Sequence, residues 1–147
     1  MTHFALFILM FCVGAAAAVQ PQINARLALK VGGFLPSALV SFAVGGLVLA
    51  VLVLVSGRAP GLRGLAGASW WELTGGTLGA LYVSATIVAY PRLGATAALA
   101  AVIAAQLIAG LLLDHYGAFG FRQLALDWQR VLGVVLLLAG AVLVFRP

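Results

Sequence analysis

Long uninterrupted runs of apolar residues alternate along the chain with short segments that hold the charges. A bilayer core about 30 Å thick needs roughly 20 helical residues, and the runs approach or reach this length. Continuous runs rich in Ala and Leu favour helices over the alternating strands of a β-barrel. The pattern therefore predicts an all-α integral membrane protein with five spans. We place the spans at approximately residues 4–25, 34–55, 73–90, 93–113 and 128–145.

The fifth run is short between charges, so its start needs a separate argument. We expect Arg130 to snorkel to the interface and Trp128 to mark it, so that the helix begins near Asp127. The segment 56–69 is rich in Gly and Pro and is predicted to be a loop, and Pro91-Arg92 is predicted to be a tight turn. Short connections make consecutive helices antiparallel neighbours. We therefore treat residues 1–147 as a single five-helix domain.

Composition agrees with a membrane protein and excludes other classes. Hydrophobic residues make up 65% of the 147 residues, charged residues 7%, and the mean hydropathy is +1.20. So few charges cannot coat a soluble domain, and disordered chains need more of them. The net charge of +5 comes from basic residues scattered singly, which favours lipid head groups over nucleic acid. The lone Cys12 is expected to be a small buried residue, without an internal disulfide or a zinc site.

The basic residues divide equally between the two sides of the predicted membrane. One side carries Arg58, Arg63, Arg122 and Arg130, and the other carries Arg26, Lys30, Arg92 and Arg146. The positive-inside rule then has no bias on which to act. Three interpretations stay open: one orientation set by charge position, insertion in both orientations with an antiparallel homodimer, or an oppositely oriented homologous partner chain.

Polar side chains inside the spans are the candidates for a binding site, because unpartnered polar groups are costly in lipid. Gln20 and Asn24 share one face of the first helix, and Pro21 between them can kink it. Such a kink beside amides can form a transporter site, or the segment is simply a polar helix end. In the third span, Tyr82 and Thr86 share a face with Gly75 and Gly79, and Tyr82 is placed for either a substrate cavity or a hydrogen bond between helices.

The fourth span combines a packing ridge with one strongly polar group. Alanines at every fourth position from Ala97 to Ala109 favour close helix packing. Gln106 beside them either bonds another helix or lines a pathway. Glu72 and Asp114-His115 lie at span ends and are interpreted as solvated termini, so no carboxylate lies at mid-membrane. Catalytic motifs such as HExxH or GxSxG do not occur, and we expect neither enzymatic activity nor a cofactor.

Several segments together carry a resemblance that covers the whole chain. They are 20–27, 41–45, Trp70-Trp71 with Gly75-Gly76 and Gly79, 91–95, Gln106-Leu107, Asp114-His115 with Gly117, and Arg130 with Gly133. This combination resembles the bacterial YdcZ family of the drug/metabolite transporter superfamily. The resemblance implies a five-helix half-transporter of the inner membrane. Two halves in opposite orientation would give a ten-helix inverted-repeat assembly, in agreement with the equal charge division.

Two classes of function follow as expectations. The first is a secondary transporter with alternating access in a dimer, whose small-molecule site is lined by Gln20, Asn24, Tyr82, Thr86 and Gln106. Small multidrug-resistance relatives use a glutamate in the first helix, and the amides here argue against the same proton-coupled antiport. The second class is a non-transporting assembly or accessory membrane protein, with a small dual-topology channel as a further alternative.

Overall fold

The chain forms helices joined by short connections. The structure is a computed structural model and describes residues 2–120 and 122–144, in which there is no β-strand. The predicted all-α class is therefore confirmed. The five α-helices are α1 (His3–Val31), α2 (Phe34–Val55), α3 (Thr74–Leu93), α4 (Ala95–Tyr116) and α5 (Trp128–Val144).

Four helical segments are long and apolar enough to cross a bilayer. They are His3–Val31, Phe34–Val55, Trp70–Leu93 and Ala95–Tyr116. The third includes a short 3₁₀ turn, Trp70–Leu73, that leads into α3. The exposed Glu72 caps this turn, because its Oε2 accepts the Ser69 N–H at 2.6 Å. Helix α5 begins at Trp128, as predicted, but its 17 residues span only about 25 Å. Residue 145 lies outside the described residues, and the fifth span stays a prediction.

Helix α1 continues beyond residue 25, where the predicted membrane span ends. It runs through Pro21 and ends at Val31, where Gly32 takes a left-handed conformation with φ +81° and its N–H bonds Ala28 O. The exposed Arg26 and Lys30 near the carboxyl end interact favourably with the helix dipole, so charge does not end the helix. The polar segment 20–24 therefore lies inside a helix, at least two turns before its end.

The predicted tight turn at Pro91-Arg92 is wrong. Both residues lie in the last turn of α3, which ends at Leu93. A proline there removes one backbone hydrogen bond close to the helix end, and the helix continues for two residues beyond it. The break falls at Gly94 with φ +80°, a region that glycine adopts without strain.

Residues 1–92 form one compact unit, in which α1, α2 and α3 share a small core. Ala38, Val83 and Ile87 are buried there, and Ala25, Ala28 and Tyr82 pack against them. Alanines bring the α1 and α2 backbones close together. A Cβ added to Gly79 would lie 3.3 Å from Cζ of Phe42, so this glycine is needed where α3 passes the Phe42 ring.

Residues 93–147 form the second compact unit, in which α4 packs against α5. Backbone bonds fix the connection to the end of α4, since Leu124 N–H donates to Asp114 O at 2.8 Å. Asp127 caps α5, because its Oδ1 accepts the Arg130 N–H at 2.9 Å. The start of α5 is thus set by a carboxylate at its first turn.

Most apolar side chains of both units are exposed, as suits helices that face lipid or another chain. Leu49 is 64% exposed and Val55 82%. Cys12, predicted to be buried, is also exposed, since the first half of α1 has no buried residue. The prediction failed because an apolar setting in a membrane helix does not imply protein neighbours.

Candidate functional site

A buried polar cluster joins α1 to α2. The Asn24 side chain, which is 4% exposed, donates from Nδ2 to Ser41 Oγ at 3.2 Å. One turn away, the fully buried Ser37 donates from Oγ to the Asn24 carbonyl oxygen at 2.7 Å. Asn24 therefore bonds to two serines of α2, through its amide and through its backbone. The serine pair, spaced by four residues on one helix face, was not singled out from the sequence although the spacing was visible.

The α3 candidates border the same core as this cluster. Tyr82 packs against Ala38, Val83 and Ile87, while Thr86 is buried with its hydroxyl donating to Val83 O at 2.8 Å. A threonine bonded to its own helix needs no partner from another helix. Asn24 precedes Ala25, which packs against this core, and it makes no hydrogen bond to Tyr82. The structure thus gathers Asn24, Tyr82 and Thr86 into one region of the unit formed by residues 1–92.

Gln20 has no hydrogen bond to the residues of this region. It is exposed on α1, one turn before Asn24, and makes no hydrogen bond within residues 2–120 and 122–144. The fully buried Pro21 follows it. The amide of Gln20 is therefore available to a ligand, a lipid or another chain.

Tyr90, on the same helix face as Tyr82 and Thr86, contains a buried hydroxyl without a partner. The side chain is 4% exposed, and its Oη has no hydrogen bond among the described residues. A buried hydroxyl normally has a partner, because its desolvation is otherwise uncompensated. Tyr90 follows Thr86 by four residues, and its burial could not be inferred from this spacing.

Gln106 belongs to the second unit and lines a groove of about 370 Å³ between α4 and α5. Asp114 and Arg130 stand at one end of this groove, where Arg130 Nη2 lies 2.7 Å from Asp114 Oδ2. The sequence identified Asp114 only as a solvated helix end, and this ion pair was missed. The sequence feature that indicates this ion pair is a carboxylate at the end of one helix and a guanidinium at the start of the next.

The described residues contain no group of three or more His, Cys, Asp or Glu side chains that could hold a metal ion. The polar groups that are brought together are amides, hydroxyls and one ion pair, in helices whose outer surface is apolar. Such groups bind by hydrogen bonding and offer no activated nucleophile. This combination defines a multi-helix membrane protein with polar sites between its helices.

The comparison with known proteins identifies the family. The family model described as "Putative inner membrane exporter, YdcZ" matches residues 5–143, and the chain belongs to this family. The chain is 32% identical over 138 residues to the inner membrane protein YdcZ of Escherichia coli strain K12, covering 93% of this chain and 92% of that protein. No solved structure matches the chain. The matches and the apolar helices confirm the predicted family and the location in the inner membrane.

Proposed function

We propose that the chain is half of a small-molecule exporter, which two copies form by packing in opposite orientations. Each copy would contribute five spans, and α5 would be the shortest. Rocking of one half against the other would expose the site alternately to the two sides of the membrane. The family description supports export, and the equal division of basic residues supports insertion in both orientations.

The observation that supports this proposal most directly is the equal division of basic residues between the two sets of helix ends. Arg58 and Arg63 lie between α2 and α3, while Arg26 and Lys30 lie in the last two turns of α1. Each group of basic residues is thus at or beyond a helix end, where it acts on orientation. Arg146 completes the tally from outside the described residues. Four arginines and lysines on either side leave orientation without a bias.

The proposed substrate site contains Gln20, Asn24, Tyr82 and Thr86, and Gln106 is a separate candidate in the unit formed by residues 93–147. Tyr82 packs against the core, and the buried Thr86 lies between the core residues Val83 and Ile87 in sequence. Asn24 is buried next to Ala25, and Gln20 supplies a free amide one turn before it on α1. Such a neutral site favours small polar or amphipathic solutes over bare cations, because it holds no fixed negative charge. The free hydroxyl of Tyr90 supports the same interpretation, since it lies two turns beyond Tyr82 on α3.

Export is tested by comparing the metabolites released by cells that produce the chain with those released by cells that do not. A solute that accumulates outside only producing cells is the expected result. Asn24→Ala and Tyr82→Phe should reduce its release in reconstituted vesicles. Tyr116→Phe is the control, because Tyr116 is 73% exposed at the end of α4. Unchanged release in both site variants would contradict the site.

Orientation is tested separately with reporters on the two termini of the unmodified chain. Insertion in both orientations predicts that each terminus is found on both sides of the membrane. Crosslinking between opposite ends of two copies should then trap a dimer. A single orientation for every copy would contradict the antiparallel homodimer and leave an oppositely oriented partner chain to be sought.

A second candidate is a non-transporting assembly protein. The observation that favours it is the mutual bonding of Asn24, Ser37 and Ser41, which holds α1 to α2 without a ligand. In that case these polar groups serve packing alone. The flux assay distinguishes the two candidates, because an assembly protein moves no solute across the vesicle membrane.

A further inference from the structure

The groove between α4 and α5 is charged at one end and largely apolar elsewhere. Its wall on α4 passes from Asp114 through Gly110 to Leu107, positions three or four apart that lie on one helix face. A second hollow of about 330 Å³ lies between the same two helices, from Ala100 to Val144. Leu137 lines both hollows. The two hollows lie along the same pair of helices, and the one nearer the ion pair is the groove considered below.

Small residues keep this groove open. A Cβ added to Gly110, Gly133 or Gly140 would meet no atom within 4 Å. Ala104 adds another short side chain to the second hollow. The width therefore comes from missing side-chain volume, and an extended hydrocarbon chain can lie where larger residues would otherwise interdigitate.

The ion pair leaves hydrogen-bonding capacity unused. Arg130 Nη2 bonds Asp114 Oδ2 at 2.7 Å, whereas Arg130 Nη1 is buried and has no partner among residues 2–120 and 122–144. Asp114 Oδ1 accepts no hydrogen bond there either. The pair is neutral as a whole, and its Arg130 and Asp114 side chains are 33% and 43% exposed, so that both charged groups can be reached from the groove. It complements a ligand that carries an anionic oxygen and an ammonium group together.

The polar end of the groove lies where lipid head groups lie. Arg130 is the third residue of α5, and Asp114 lies in the last turn of α4. Trp128, which is 71% exposed, stands beside them and is typical of the membrane interface. The rest of the groove points along the helices toward the bilayer core. This order of head and chain fits a lipid better than a water-soluble solute.

We propose that the groove binds phosphatidylethanolamine. The phosphate oxygen accepts from the exposed part of the Arg130 guanidinium, the ammonium group donates to Asp114 Oδ1, and an acyl chain lies past Gly110, Gly133 and Leu137. Phosphatidylglycerol has no ammonium group that could donate to Asp114 Oδ1. Phosphatidylcholine carries a positive charge but no N–H group, so it can attract Asp114 electrostatically without donating a hydrogen bond to it.

The test is native mass spectrometry of the purified full chain titrated with each of the three lipids, all with the same acyl chains. The unmodified chain should retain phosphatidylethanolamine about tenfold more strongly than phosphatidylglycerol, as expected for one charge-assisted bond. Asp114→Asn keeps the shape of the side chain and leaves Arg130 unneutralised, so the order should invert in favour of phosphatidylglycerol. Equal retention of the three lipids, or an unchanged order in the variant, would overturn the proposal.

A second pair of variants tests the groove itself. Gly133→Leu fills the space without touching the ion pair, and retention of phosphatidylethanolamine should fall about tenfold. Gly46→Leu is the matched control, because Gly46 on α2 also has open space around it and lies outside the groove. Full retention in Gly133→Leu would overturn the proposal. This variant tests the groove even if Asp114→Asn does not fold. If a second copy of the chain occupies the groove, Gly133→Leu disrupts dimers without affecting lipid retention, which again contradicts it.

Discussion

Asn24 joins α1 to α2 through both its side chain and its backbone. Its side-chain amide donates to Ser41 Oγ at 3.2 Å, and its backbone carbonyl oxygen accepts from the Ser37 hydroxyl. The sequence predicted a polar face with Gln20 and Asn24 on α1 but could not choose the partner, because that choice depends on the rotation of α2 against α1. Residue types were thus readable from the sequence, and their contacts were not.

Removing the Asn24–Ser41 bond should cost little stability. Ser41→Ala and Asn24→Ala are each expected to lower the free energy of unfolding by about 0.6 kcal/mol, since hydrogen bonds between membrane helices are weak on average. The double variant should lose less than the sum, because both changes remove the same bond. Thermal unfolding in detergent and a double-mutant cycle measure this. Fully additive losses would show that the two side chains do not interact.

Gly79 should be more sensitive than its neighbours along α3. Gly79→Leu would drive a side chain into the Phe42 ring, which already lies 3.3 Å from the position of a Cβ. We expect a loss of about 1–3 kcal/mol, typical of overpacking. Gly76→Leu is the control, since nothing lies within 4 Å of its Cβ position. Combining Gly79→Leu with Phe42→Ala should restore much of the unfolding temperature, and no recovery would place the damage elsewhere.

Helices were predictable as elements because apolar runs in a membrane protein must satisfy their backbone internally. The residues at which the helices end were less predictable. Helix α1 extends six residues beyond the predicted span, because a basic residue such as Arg26 is stabilised near a helix carboxyl end. The turn at Pro91 was wrong because a proline in the last turn does not require a loop. Start signals were more reliable, as Asp127 before α5 shows.

The Asp127 cap should control the first turn of α5. Asp127→Ala removes the acceptor of the Arg130 N–H, with an expected cost of about 1 kcal/mol. Hydrogen exchange should rise at residues 128–131 and stay unchanged in the middle of the helix. Asp127→Asn should behave nearly like the unmodified chain, because asparagine caps as well. Gln129→Ala, an exposed neighbour, is the control, and equal exchange in it and Asp127→Ala would argue against a cap.

At the scale of the whole molecule, the apolar surface far exceeds the core. Buried apolar side chains among the described residues are few, and most large ones lie on the surface. A membrane location accounts for this surface, and a second copy could cover part of it. Which part is covered could not be read from the sequence, because Gly and Ala ridges mark packing faces without naming their partners.

A small charge change should fix the orientation of the whole molecule. With four basic residues on each side, two lysines added to the amino terminus are expected to hold that terminus on the cytoplasmic side in nearly all copies. Two glutamines at the same place are the control and should not alter the distribution. Reporters on the two termini measure the outcome. If the lysines leave the distribution as it was, the balance of basic residues does not set orientation.

The length of α1 couples this protein to the thickness of its membrane. The helix has 29 residues and is about 44 Å long, well beyond a hydrocarbon core of about 30 Å. It can fit by tilting or by extending past the core, and a thinner bilayer increases the mismatch. Because Asn24 bonds to Ser37 and Ser41, we expect α2 to tilt together with α1. We therefore expect a change in bilayer thickness to change the tilt of the helices formed by residues 1–92.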